Sequence, residues 1–357
     1  MARLGGGSEV RFAHRTLGQR VVLDPGGAAG RVLAELDRLA PRAVMVIGGE
    51  RQAALLSTLD GRTALRWTEV TRHVPVALAE RARAAAAEHD IDVVVAIGGG
   101  SAIGLAKAIA LDRTVRIVAV PTTYAGSEAT NVWGLTDADG KRTGTDDRVL
   151  PDTVVYDPSL TASLPPELAA ASGLNAVAHC VDSFWGPDAD PIDAALAAEG
   201  LRALATGLRD GDRAGLQYGC YLAAVAFASA GSGLHHKICH VLGGRFDLPH
   251  AATHAIVLPY VLAYNAPAAS DAAVRVAAAL GVTDAVTGLR DLNVHAPRAL
   301  REIGLAEEEL PAAVEAVLPA VPPSNPRPVD AAALERLLRA AWSGADPKTG
   351  TDPEEVA

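Results

Sequence analysis

The stretch Val93-Val94-Val95-Ala96-Ile97-Gly98-Gly99-Gly100-Ser101 decides the fold. Its apolar, mostly β-branched run has no polar alternation, so it reads as a strand buried on both faces, the pattern of a parallel sheet flanked by helices. Three glycines follow at once, and then an alanine-rich segment with Leu105, Lys107 and Ala108, so the strand turns directly into a helix. Glycines let a backbone approach a diphosphate closely, and the free N–H groups at a helix start favour negative charge. The motif is neither GxGxxG nor a P-loop, and by itself it would serve equally well as a tight connection. A second apolar run ends in Pro121-Thr122-Thr123-Tyr124-Ala125-Gly126-Ser127-Glu128. That places hydroxyls and a glycine at the carboxyl end of a strand, where open α/β sheets bind ligands. Together the two loops point to a nucleotide site made of Gly98, Gly99, Gly100, Ser101, Thr122, Thr123 and Ser127.

On either side of this stretch, β-branched runs alternate with amphipathic segments. The pattern predicts strands at 20–23, 43–47, 93–97 and 117–120, and helices at 29–39, 52–59, 76–89 and 103–111. After Val154-Val155-Tyr156-Asp157-Pro158 the β-branched runs stop and alanine-rich helical periodicity takes over, at 166–171, 175–184, 192–206, 212–230 and beyond. The chain therefore divides into a dinucleotide-binding α/β domain with a Rossmann-like parallel sheet, residues 1–160, and an all-helical domain, residues 161–357. Pro322-Pro323-Ser324-Asn325-Pro326-Arg327-Pro328 must be extended. A last helix follows at 330–342, capped by Asp330, and residues 344–357 are expected to fray.

The 357 residues carry 32 Lys plus Arg against 42 Asp plus Glu, a net charge of -10, with no basic run, so nucleic acid is not an expected partner. No apolar stretch approaches the ~20 residues that span a bilayer, and the N-terminus lacks a signal-peptide core, so no membrane partner and a cytoplasmic location are expected. Cys180, Cys220 and Cys239 form no CxxC pair and read as small buried residues.

Six of the ten histidines, His179, His235, His236, His240, His250 and His254, lie between positions 179 and 254. If 233–242 is helical, His236 and His240 share one face, while His235 shares a neighbouring stripe with Cys239. Pro249 then opens a further helix, with His250 in its first turn and His254 one turn later. Such spacings suit a divalent metal or proton transfer. A metal would want a carboxylate four residues before His179, and that position is Asn175. The set Asn175, His179, His236 and His250 lacks an anionic ligand, so a metal-free site is expected.

These residues resemble the iron-containing (group III) alcohol dehydrogenase superfamily, whose fold is similar to dehydroquinate synthase. The resemblance covers about residues 10 to 342. It is carried by 100–108, Leu150-Pro151-Asp152, Ser172-Gly173-Leu174-Asn175-Ala176, His236-Lys237-Ile238-Cys239-His240, Leu248-Pro249-His250-Ala251 with Thr253-His254-Ala255, and Pro323-Ser324-Asn325-Pro326-Arg327-Pro328. Within the superfamily the chain is most similar to the branch that reduces the carbon–carbon double bond of maleylacetate to 3-oxoadipate. Two departures from the metal-dependent members support that branch, because Gly104 and Asn175 stand where those members usually have aspartates.

The resemblance implies an enzyme using NADH or NADPH, a small dicarboxylate substrate and a homodimer. It implies His240 and His250 as proton donor and oxyanion stabiliser, because their strings face the cofactor in the family's fold. Asn175, His179 and His236 would hold the substrate or orient the catalytic pair, and Lys237 would contact a carboxylate. Relatives that prefer NAD usually place an aspartate where this chain has Gly48, followed by Gly49-Glu50-Arg51, so NADPH should be accepted as well as NADH. The rival readings are a metal-dependent alcohol or aldehyde dehydrogenase that tolerates Asn175 as a weak ligand, and a non-catalytic nucleotide-binding scaffold.

Overall fold

The computed structural model describes residues 11–71, 74–137, 140–292 and 297–351. The described residues form two units, one of residues 16–165 and one of residues 166–351 together with residues 11–15. The expected boundary after residue 160 thus falls five residues later. Residues 11–15 go with the helical unit, where His14 Nδ1 lies 2.8 Å from Asp190 Oδ2.

The first unit runs β1 (Arg20–Leu23), α1 (Ala28–Leu39), β2 (Val44–Ile47), α2 (Ala53–Thr58), β3 (Leu65–Trp67), α3 (Val76–Glu88), β4 (Val93–Gly98), α4 (Gly100–Asp112), β5 (Arg116–Pro121), β6 (Val132–Asp137), β7 (Gly140–Thr145) and β8 (Thr153–Tyr156). Six strands make a wholly parallel sheet in the order β1-β8-β5-β4-β2-β3, while β6 and β7 form a separate antiparallel hairpin. Alternate residues of the central strands feed two cores, one on each face. Met45, Ile47, Val94, Ala96, Ile117 and Ala119 pack with α3 and α4, and Val44, Val46, Val95, Ile97, Val118 and Val120 pack with α1 and α2. This double burial is why those strands have no polar residues to alternate.

From β2 the chain moves outward to β3, and from β4 it moves the other way to β5. The order therefore reverses between β2 and β4, and Ile47 is in register with Ala96. Gly48 and Gly98 consequently end neighbouring strands at the switch point, where this class of sheet opens a crevice.

The second unit is helical, with no strand among its described residues: α5 (Pro166–Ser183), α6 (Pro191–Asp210), α7 (Arg213–Ala230), α8 (Leu234–Phe246), α9 (His250–Asn265), α10 (Ser270–Leu280), α11 (Ala285–Leu292), α12 (Leu310–Val317), α13 (Ala331–Ser343) and α14 (Pro347–Gly350). Its main core joins apolar residues of α8, α9, α12 and α13. Asp330 caps α13 by accepting from Ala333 N, as the sequence predicted. Cys180, Cys220 and Cys239 are all buried. No single helix among the described residues is long and apolar enough to cross a membrane.

Three expectations need correction. Strands β3 and β8 and the β6–β7 hairpin were not anticipated. The pieces read at 166–171 and 175–184 are one helix, α5. Gly173 interrupts nothing there, because a Cβ at that position would lie 2.8 Å from Leu208 Cδ2, and the glycine lets α6 approach. Residues 344–351 do not fray: Asp346 caps α14 through Lys348 N, and Thr351 is 3% exposed. Residues 352–357 of that predicted tail lie outside the described residues.

Candidate active site

In the α/β unit the two predicted loops lie against each other. Gly98 has φ +156, and a Cβ there would sit 2.9 Å from Ala102 Cβ. A Cβ on Gly99 would lie 3.0 Å from Thr123 Cγ2, and one on Gly100 would lie 3.7 Å from Ser127 Oγ. Thr122 N donates to Gly98 O at 3.0 Å, closing the edge between the loops. Ser127 Oγ is buried without a hydrogen-bond partner. Gly99 is the N-cap of α4, with Ser101 in the first turn, so unpaired N–H groups of the helix face a surface lined by small residues. An orphaned hydroxyl beside a glycine cradle suits a diphosphate.

Sequence reasoning missed what fixes the second loop. Lys107 on α4 is 1% exposed and donates to Thr130 O at 2.7 Å, Val132 O at 2.7 Å and Thr130 Oγ1 at 3.2 Å. Burial pushes its ammonium down to about 7, against the pull of the Glu128 charge. Glu128 is fully buried, which pushes its carboxyl up, and Oε1 accepts from Tyr156 OH at 2.7 Å. Gly104 has no room for a side chain, because a Cβ would come within 2.9 Å of Val74 Cγ2.

In the helical unit, α5, α7, α8 and α9 bring the predicted imidazoles together. The His179 ring centroid lies 5.0 Å from His236 and 4.5 Å from Phe227. His236 is 5.9 Å from His240 and 4.9 Å from His254, while His250 is 6.1 Å from His240 and 4.3 Å from His254. His240 and His250 are solvent-exposed, whereas His235, His236 and His254 are buried. Asn175 Nδ2 is 3.4 Å from His179 Nε2. Lys237 is half-buried, and its charge is among those that disfavour a proton on His236.

Asp182 is the site residue that sequence reasoning missed. It is fully buried, accepts from His236 Nδ1 at 2.7 Å and His236 N at 3.2 Å through Oδ2, and from Trp185 Nε1 at 3.1 Å through Oδ1. A Cβ on Gly233 would strike Asp182 Oδ1 at 2.6 Å, so only glycine lets the start of α8 close over the carboxylate. Because His236 donates from Nδ1, its Nε2 carries the lone pair, and that atom has no partner. Asn175 Oδ1, His179 Nδ1 and His254 Nε2 are likewise buried and unpartnered. Burial, with the neighbouring imidazoles, holds His179, His235, His236 and His254 well below the usual histidine range. The pocket therefore presents neutral rings that can accept, donate or pass a proton.

A glycine cradle on a parallel sheet and a pocket of neutral imidazoles define a two-unit, nucleotide-dependent oxidoreductase type of protein. Family profiles described as "Iron-containing alcohol dehydrogenase" and "Fe-containing alcohol dehydrogenase family, C-terminal" match residues 19–158 and 169–342. The chain belongs to the iron-containing alcohol dehydrogenase family. It is 42% identical to a maleylacetate reductase of Sphingobium indicum, over 95% of this chain and 100% of that protein. It is 52% identical to an iron-containing alcohol dehydrogenase of Corynebacterium glutamicum, whose crystal structure superimposes with a TM-score of 0.90 over 96% of this chain and 99% of that one. The crystal structure of maleylacetate reductase from Agrobacterium tumefaciens is 36% identical, with a TM-score of 0.89 over 95% and 100%.

The family's iron can be tested against the donors present. Among the described residues, His, Cys and carboxylate groups whose ligand atoms all lie within 4.8 Å of one another are His235, Cys239 and His254, and His14, Asp190 and Asp193. The set His179, His236 and His250 is not among them, and Asn175 brings a neutral amide in place of a carboxylate. Without an anionic ligand and without convergence, these residues do not fit an iron centre.

Proposed function

We propose that the protein reduces the carbon–carbon double bond of maleylacetate, or a close enone-acid analogue, to give 3-oxoadipate with NADH or NADPH, without a metal. The 42% identity to a maleylacetate reductase over its full length, joined to a donor set in which Asn175 is a neutral amide and burial holds His179 and His236 neutral, carries this reading. Gly98, Gly99, Gly100, Ser101, Thr122, Thr123 and Ser127 would hold the cofactor's phosphates. When bound, the nicotinamide supplies hydride to the alkene carbon β to the ketone. One of His240 and His250 would donate a hydrogen bond to the charge that builds on the ketone oxygen and the other would supply the proton that ends on the α carbon, so that hydride and proton together complete the reduction. Asn175, His179 and His236 hold the substrate, Asp182 holds the His236 tautomer, and Lys237 faces a substrate carboxylate. An alkene conjugated to a ketone can accept hydride with hydrogen-bond help alone, the donor meeting the enolate charge on the ketone oxygen.

Residue 48 is a glycine, so no carboxylate stands at that position to repel a 2′-phosphate. Use of both cofactors, a homodimer and a cytoplasmic location belong to the same proposal.

A second reading, a metal-dependent alcohol dehydrogenase, draws on the Asp182–His236 pair, since metal-binding imidazoles are commonly backed by a carboxylate. One assay separates the two. After treatment with a strong chelator, oxidation of NADH should be rapid with maleylacetate and negligible with simple aldehydes. Turnover of aldehydes that returns only on adding iron or zinc would overturn the proposal in favour of the second reading.

A further inference from the structure

The helical unit carries a second polar cluster that the proposed reaction does not use. His14 lies on the segment before β1, and Asp190 and Asp193 are the N-cap and third residue of α6. The two carboxylates form a capping box, in which Asp190 Oδ1 accepts from Ile192 N at 2.7 Å and Asp193 N at 3.0 Å, and Asp193 Oδ2 faces Asp190 N at 3.3 Å. Each aspartate thus commits one oxygen to the helix start and turns the other toward His14. Asp190 Oδ2 is 2.8 Å from His14 Nδ1, and Asp193 Oδ1 is 3.8 Å from it.

The second of these distances is too long for a hydrogen bond. Asp193 is 0% exposed, and its Oδ1 is buried with no hydrogen-bond partner. Burial disfavours its charge and so does Asp190 beside it, even though Ser229 hydrogen-bonds to the carboxylate. A fully buried carboxylate oxygen that faces another carboxylate and an imidazole nitrogen, and bonds to neither, is an arrangement that a cation would complete.

We propose that His14, Asp190 and Asp193 form a divalent-cation site of the zinc type that fastens residues 11–15 to the first turn of α6. The three ligand atoms lie within 4.8 Å of one another. A tetrahedral ion with bonds of about 2.0–2.2 Å needs ligand–ligand edges of roughly 3.3–3.6 Å, so the 2.8 and 3.8 Å edges bracket the requirement. One nitrogen and two carboxylate oxygens form a mixed set that zinc accepts, with the fourth position left to water. The ligands join two parts of the helical unit that are 176 residues apart in the chain, so binding holds residues 11–15 to the start of α6. Coordination requires His14 Nδ1 to lose its proton, so affinity should fall on acidification.

The experiment uses the full chain, stripped with a chelator and dialysed, then equilibrated with micromolar zinc at pH 7.5. Bound metal is counted per chain and the melting temperature is recorded with and without zinc. Wild type should hold one zinc more than His14→Ala, and its zinc-induced rise in melting temperature should exceed that of the variant. Asp193→Asn, which keeps an acceptor for the cap, should weaken this zinc at least tenfold. Counting by difference removes any zinc taken up by the imidazole pocket, and equal melting temperatures without zinc show that the variants fold. Equal zinc content in wild type and both variants, or uptake by wild type only at millimolar zinc, would overturn the proposal.

Discussion

The glycine end of the parallel sheet and the imidazole pocket of the helical unit treat buried polar groups in opposite ways. Around the sheet, charged groups are matched. Lys107 reaches three oxygens, Asp157 takes N–H groups from Gly26, Ala28 and Ser159, and Glu35 meets Arg20 and Arg38. In the pocket, Asn175 Oδ1, His179 Nδ1, His236 Nε2 and His254 Nε2 have no partner. The first arrangement fixes main chain in a shape, and the second leaves side chains that a bound molecule or water must satisfy. The exceptions in the α/β unit include Ser127 Oγ and Glu128 Oε2, on the loop that faces the glycine turn.

Three measurements test this contrast. The largest effect belongs to the pocket: His240→Ala and His250→Ala should each lower kcat by at least about a hundredfold, roughly 2.7 kcal/mol, while nucleotide affinity stays within about twofold. Normal turnover in both variants would remove the catalytic assignment. A smaller and opposite signature belongs to the sheet. Gly99→Ala pushes a methyl within 3.0 Å of Thr123, so KM for the nucleotide should rise about tenfold with kcat little changed. An unchanged KM would show that the cradle does not hold the cofactor.

The smallest effect per residue concerns pH. His179, His235, His236 and His254 have folded-state values held well below the ordinary one, with burial the largest cause. Their contribution to stability is therefore complete above about pH 6.5 and is lost as pH falls toward their folded values, at up to about 1.4 kcal/mol per pH unit for each residue. In the α/β unit the depressed carboxylates include Glu35, Asp92 and Asp157, whose contribution lasts until pH falls below about 4, while Lys107, pushed down to about 7, is charged below that pH. Hydrogen exchange resolved by peptide should show α5, α8 and α9 losing protection between pH 6.5 and 5 while β4 and β5 keep theirs. Simultaneous loss in both units would erase the distinction.

The sheet was legible because a strand buried on both faces leaves a run that nothing else produces, as in Val93 to Ile97. Strand β3 was not, since Leu65-Arg66-Trp67 is too short to show a period. The β6–β7 hairpin hid behind Gly-Lys-Arg-Thr-Gly-Thr, whose Gly144 is needed only because Trp133 lies across it, 2.7 Å from where a Cβ would be. The histidines could be grouped from helical spacing alone. Asp182 could not, because an aspartate in an alanine-rich helix looks solvent-facing until α8 closes over it. Lys107 and Glu128 share that fate: each looks like an ordinary surface charge, and only the folded loop shows them buried.

The edge position of β1 has a consequence in time. Its one neighbour in the sheet is β8, and Arg20 pairs with Thr153, 133 residues later (153 − 20). At roughly 5–20 residues per second, a ribosome takes about 7 to 27 s to make that interval. During that wait β2, β3, β4 and β5 can already assemble, while β1, with Val21 and Leu23 on its exposed side, has nothing to pair with. The α/β unit is therefore sealed by its last strand, and the Asp157 carboxylate that grips Gly26 and Ala28 arrives with it as the closing latch.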